Sequence, residues 1–186
     1  MWFINFLFGK KTNPVPPPPD HAASAPVAQA PGTQIAYSPE LIGQLKGDHQ
    51  RLLELFGHIS AAFAGSDLAA AARLLGEFRR GILSHLLTEN VRFYIYLEHT
   101  LKHDSPNEFD LMRHFRHEMD SIGKAVLAFL DKYQSLDKQP DLAAAFGKDL
   151  ENVGAILGER IRREEETLYP LYLPAIEMVD SRAVAG

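Results

Sequence analysis

The chain has 186 residues, enough for one domain with a single buried core plus a tail. Its 24 acidic against 19 basic side chains argue against nucleic acid as a partner, because a phosphate backbone calls for a basic surface. With no cysteine, disulfides, iron–sulfur clusters, Cys-type zinc sites and thiol catalysis are excluded, which fits a reducing, cytoplasmic location.

The opening run, Met1-Trp2-Phe3-Ile4-Asn5-Phe6-Leu7-Phe8, falls short of the roughly 20 apolar residues that a bilayer span needs. Lys10 and Lys11 follow the run instead of preceding it, the reverse of a signal peptide. Residues 1–11 read as a short aromatic amphipathic segment, suited to peripheral docking at the inner face of the membrane or on a partner protein. Residues 12–37 follow as a linker. Pro14, Pro16 to Pro19, Pro26 and Pro31, spaced by alanine, favour extended, semi-rigid chain.

The folded unit is expected over residues 38–180. Ser38-Pro39-Glu40 predicts a helix start, with apolar residues Leu41, Leu45, Leu52 and Phe56 and His49 on one stripe to about residue 63. A second helix starts at Ser66-Asp67 and runs to about residue 102, carrying Leu74, Phe78, Ile82, His85, Glu89 and Phe93. Ser105-Pro106-Asn107-Glu108 is a capping box that opens a third, with Phe115, Met119, Ile122, Val126 and Phe129 inward. The fourth follows Pro140-Asp141 to about Pro170, with Phe146, Leu150, Val153, Leu157, Arg160, Glu164 and Leu168 on its stripe. No segment alternates like a strand. Four long helices with short connections predict an all-α, up-down-up-down four-helix bundle.

Five ionisable residues stand on those apolar stripes: His49, His85, Glu89, Arg160 and Glu164. A buried charge is costly unless paired or ligated. At a rise of about 1.5 Å per residue, Glu89 and Met119 both lie roughly 20 Å from the turn between the second and third helices. His49 and His85 lie roughly 21 and 28 Å from the first turn, so the groups meet at one level in mid-bundle. His85-Leu-Leu-Thr-Glu89 and Arg160-Ile-Arg-Arg-Glu164 share a spacing that stacks both members on one face; the first pair can reach a common metal. Without metal, the same residues would form a buried polar network of Arg160 with Glu164 and Glu89 beside two hydrogen-bonded histidines. His58 is expected on the surface, and His99, His103, His114 and His117 as solvated histidines around the turn after the second helix.

Over residues 40–172 the sequence resembles the hemerythrin (HHE cation-binding) family. Asp48-His49 with Leu52, Leu55 and Phe56 resembles its first-helix signature, and His85 to Glu89 its second-helix His-x-x-x-Glu. Glu118-Met119-Asp120-Ser121-Ile122 stands where the family has Glu-His and Ile. Arg160 to Pro170, with Glu164-Glu165-Glu166 and Leu168-Tyr169-Pro170, stands where it has His-x-x-x-Glu-Glu-Glu-x-Leu-Phe/Tyr-Pro. The family binds two irons. Carried over, the resemblance implies that His49, His85, Glu89 and Glu164 complete one metal position, with Glu118 and Glu165 as supporting carboxylates. It implies loss of the other at Met119 and Arg160, whose guanidinium would stand in for the second cation.

The resemblance thus implies a degenerate, mononuclear site for one divalent ion, with iron leading and Mn(II) and Zn(II) open. Its expected role is sensory or regulatory without turnover, through an unknown protein partner and with O₂ or NO as candidate ligands. A second similarity, to the Rsd/AlgQ-type sigma-factor regulators, rests on Glu159-Arg160-Ile161-Arg162-Arg163-Glu164-Glu165. It implies the alternative, a metal-free regulatory bundle acting by protein–protein contact.

Overall fold

The computed structural model describes residues 29–102 and 105–174. The aromatic segment 1–11, most of the linker and residues 175–180 of the expected domain lie outside the described residues.

Helix α1 is Leu41–Ala64, α2 Leu68–Thr88, α3 Ile95–Leu101, α4 Pro106–Tyr133 and α5 Ala143–Arg163. A π-helical segment, Glu89–Tyr94, joins α2 to α3 in one continuous rod, and a second, Glu164–Leu168, extends α5. The connections are short, so successive rods run antiparallel. Helix α1 packs on α2 and α5, and α4 packs on the same two, which closes the expected four-helix bundle. The only extended pairing among the described residues is an isolated bridge between Gln29 and Ala36. No helix among them is long and apolar enough to cross a membrane.

Local chemistry sets the boundaries. Asp67 accepts a hydrogen bond from the Ala70 N–H at 2.9 Å and so caps α2, as Ser66-Asp67 predicts. Pro39 and Glu40 form a turn ahead of α1, which begins three residues later than Ser38. Ser105 is the N-cap of α4 and Pro106 its first residue, but the side-chain bond of the capping box is not formed.

The apolar stripes bury two clusters. One surrounds Leu52, Ile59, Phe78, Ile82, Val126, Phe129, Phe146 and Leu157. The other, at the opposite end, gathers Leu41, Leu45, Phe93, Leu97, Phe115, Leu168 and Tyr172. Each such side chain contributes about 1.5–3 kcal/mol by leaving water. Phe56, Ile122 and Val153 are only half-buried, and Ile59 takes the core position one turn beyond Phe56.

The last residues of the linker are packed. Ala30 is buried, the Ala30 N–H donates to the Ile35 carbonyl, and the Tyr37 ring stacks on Tyr172 with centroids 4.9 Å apart. The bridged turn through Gly32, at a φ of 72°, folds this stretch back on itself.

Candidate metal centre

Between the two apolar clusters lies a buried polar layer: His49 from α1, His85 from α2, Glu89 and Glu164 from the π-helical segments, and Arg160 from α5. All five are essentially closed to solvent, and the bundle brings them together at one level. The His49 and His85 rings lie 4.7 Å apart, centre to centre.

Both imidazoles turn Nδ1 toward an outer carboxylate. His49 Nδ1 is 2.8 Å from Glu165 Oε1, and His85 Nδ1 is 3.7 Å from Asp48 Oδ2. The carboxylate hydrogen-bonded behind His49 fixes its tautomer and raises its basicity as a ligand, whereas His85 Nδ1 makes no hydrogen bond among the described residues. With its Nδ1–H donated to Glu165, His49 presents the Nε2 lone pair inward. There it faces Glu164 Oε2 at 3.6 Å and the Tyr169 hydroxyl at 3.3 Å. The same hydroxyl donates to Glu89 Oε1 at 3.3 Å, while Glu89 Oε2 is buried without a hydrogen-bond partner. Around Tyr169 one phenol proton faces two lone-pair atoms, while on the other side of the layer Arg160 Nε and Nη1 are buried donors without a hydrogen-bond partner among the described residues.

Arg160 organises the other half. Its Nη2 donates to the Tyr94 hydroxyl at 2.9 Å and the Phe115 carbonyl at 3.3 Å. These bonds occupy both Nη2 hydrogens. Glu164 Oε1, 2.5 Å from the same nitrogen, is therefore held as an ion pair without an aligned hydrogen bond. Nη1 lies 3.6 Å from Glu118 Oε2, and the guanidinium covers the Phe115 ring at 4.6 Å. Glu118 takes a second cation from the rim, Arg163, at 2.8 Å. Arg160 is thus paired with Glu164 as expected, but Glu89 is held by Tyr169 instead.

Burial dominates the titration of this layer. It pushes Glu89 up to about 7 against the opposing pull of Arg160, and raises Glu164 well above the usual carboxylate range. It lowers His49, and brings His85 down to about 4 with the His49 charge adding to the effect. A small cavity of about 30 Å³ opens beside the histidines, with Met119, Phe78, Ile82 and Leu157 among its apolar walls.

The family model of the hemerythrin HHE cation-binding domain matches residues 40–172, which include all five helices. The chain belongs to the hemerythrin HHE cation-binding family. No curated protein matches the chain, and no solved structure does.

A hemerythrin domain implies bound cations, and the donor set bears on how many. Two imidazoles, one of them braced from behind by Glu165, two carboxylates and an unpartnered Glu89 oxygen suit a first-row divalent ion chemically. Met119 offers no nitrogen ligand, and Arg160 places its positive charge beside Glu164. Among the described residues, no group of three or more His, Asp or Glu side chains converges as a ready cage.

Three contributors were not singled out from the sequence. Tyr94 and Tyr169 each follow a buried glutamate by five residues, a repeat present in the sequence but meaningless at the α-helical period. Asp48 was visible only as part of the Asp48-His49 signature. His58, His99, His114 and His117 are exposed, as expected; His103 lies outside the described residues.

Proposed function

We propose that this hemerythrin-family module holds a single divalent cation, iron foremost, in the position formed by His49, His85, Glu89 and Glu164, and serves a regulatory role without turnover. The observation that carries the reading is the convergence of His49 Nε2, Glu89 and Glu164 Oε2 in one buried layer, with Glu89 Oε2 lacking a hydrogen-bond partner. A cation would draw on the lone pairs of His49 Nε2 and the two carboxylates together and relieve their burial. Arg160 stands in for the second ion and holds Glu164 in place. Glu165 sets the His49 imidazole from behind, and Asp48 lies 3.7 Å behind that of His85.

Carriage of dioxygen as a two-iron protein carries it out is not part of this proposal, since that chemistry takes an electron from each of two irons. A small ligand such as O₂ or NO at the single ion is compatible with the adjoining cavity, which has room for about one or two water-sized molecules. Residues 1–11 are proposed to tether the module to a partner protein or a membrane surface.

A second reading, a metal-free regulatory bundle, is favoured by one observation: the pairing of Arg160 with Tyr94, Phe115 and Glu164, which places a fixed cation in the layer. Elemental analysis of the protein from iron- and manganese-replete cells separates the two. One equivalent per chain, lost in His85→Ala together with some thermal stability, is expected if the ion is bound. No metal in the wild type would leave the metal-free bundle. In that case Arg160→Ala should be the damaging change, by about 3–5 kcal/mol, because it strands Glu164 buried and unpaired.

A further inference from the structure

Tyr169 stands where the ligands of the candidate ion converge. Its ring lies nearly parallel to His49, 8° from coplanar with centroids 5.7 Å apart. Its oxygen is 3.3 Å from His49 Nε2 and 3.3 Å from Glu89 Oε1. The ring is buried and wedged against Phe93, which meets it edge-on at 5.2 Å. The oxygen is therefore fixed by packing as well as by hydrogen bonds. His49 and Glu89 share this oxygen as a neighbour, and among the described residues no third His, Asp or Glu closes the cluster into a cage. A third oxygen does stand at this point, and it is a phenol.

We infer that Tyr169 is itself a ligand, coordinating a ferric ion through its phenolate oxygen alongside His49 and Glu89. The inference rests on the one-ion reading of the site and adds an oxygen ligand to it. Binding exchanges the phenol O–H bond for an O–Fe bond and releases the proton to water. The oxidation state of the iron is unchanged, because the ion enters as Fe(III). Hard, negatively charged oxygen suits Fe(III) better than Fe(II). The site would therefore hold the oxidised ion more tightly than two imidazoles and two carboxylates do alone. Tyr94, the other buried phenol of the layer, is committed to Arg160 at 2.9 Å and is not part of the ligand set.

The test is the colour of the full-length protein loaded with ferric citrate. Iron-phenolate coordination gives a visible charge-transfer band whose resonance Raman spectrum carries tyrosine ring modes. The expected result is about one iron per chain with that band. It should disappear in Tyr169→Phe and persist in Tyr94→Phe, with iron still bound in both. Tyr169→Phe keeps the ring and its packing. Should it fail to fold, ring-deuterated tyrosine in wild type and in Tyr94→Phe reads the same modes without altering Tyr169.

Iron bound with no such band, or a band that survives in Tyr169→Phe, would overturn the ligand assignment and leave the one-ion reading standing. Increased iron binding by Tyr169→Phe would also overturn it, marking the phenol as a plug in the metal position. No iron in any form, whether offered as ferric citrate or as a ferrous salt under anaerobic conditions, would bring down both.

Discussion

Glu89 and His85 sit four residues apart on one face and are both buried, yet burial moves their protonation in opposite senses. Glu89 is raised from 4.5 to about 7, so its contribution to stability is whole below pH 4.5 and is lost as pH rises through 7. His85 is lowered from 6.5 to about 4, so its contribution is whole above pH 6.5 and is lost as pH falls through 4. Between pH 4.5 and 6.5 the two slopes, each about 1.4 kcal/mol per pH unit, cancel. The prediction concerns the metal-stripped protein. Replacing Glu89 with Gln keeps the shape and an acceptor for Tyr169 but removes one slope. Relative to wild type, Glu89→Gln should then lose stability as pH falls across that window, and His85→Asn should lose it as pH rises. Urea midpoints at three pH values measure both. Parallel profiles for wild type and Glu89→Gln would show that Glu89 does not hold its proton in the fold.

At the scale of elements, the π-helical segments explain what the helical period could not reveal. Five residues along an α-helix turn a side chain about 140° away from its starting face. Read at that period, Tyr94 and Tyr169 belong to different faces from Glu89 and Glu164. The i→i+5 register of a π segment brings residues five apart close to one face. Each tyrosine then enters the layer that its own glutamate enters, and bonds across to the opposite half. The apolar spacing was sufficient to place His49, His85, Glu89, Arg160 and Glu164 inward, because those positions lie on or at the edge of regular helix. Close packing of the rods was equally hidden. At Gly154 of α5, an added Cβ would come within 2.7 Å of the Phe56 ring. Gly154→Ala should therefore cost about 1–3 kcal/mol by forcing α1 and α5 apart. Gly57, exposed on α1 with nothing within 4 Å, is the control, where alanine should add about 0.5–1 kcal/mol through helix propensity alone. Thermal unfolding of the two variants reads the difference, and equal midpoints would contradict the tight α1–α5 approach.

For the whole molecule, the decisive boundary is where the tail stops and the bundle begins. Proline density made residues 12–37 one linker, since composition carries no record of what a segment lies against. Yet Ala30, Ile35 and Tyr37 join the apolar cluster that also contains Tyr169 and Tyr172. Tyr172 stacks on Tyr37, and its hydroxyl accepts the Ser38 N–H at 3.0 Å. Residues 29–37 thus brace the strand of chain that carries Tyr169 into the polar layer. A chain beginning at residue 29 should unfold in urea at the same concentration as the full-length protein. A chain beginning at residue 38 should lose about 1–3 kcal/mol: burial and stacking of Tyr37 are worth slightly more than this, and the entropy of ordering the segment offsets part of it. Because the loss falls beside Tyr169, the shorter chain should also release its metal faster to a chelator. Equal stability and equal release for the two truncations would return residues 29–37 to the linker, and the packing of Tyr37 on Tyr172 would then carry no weight in the fold.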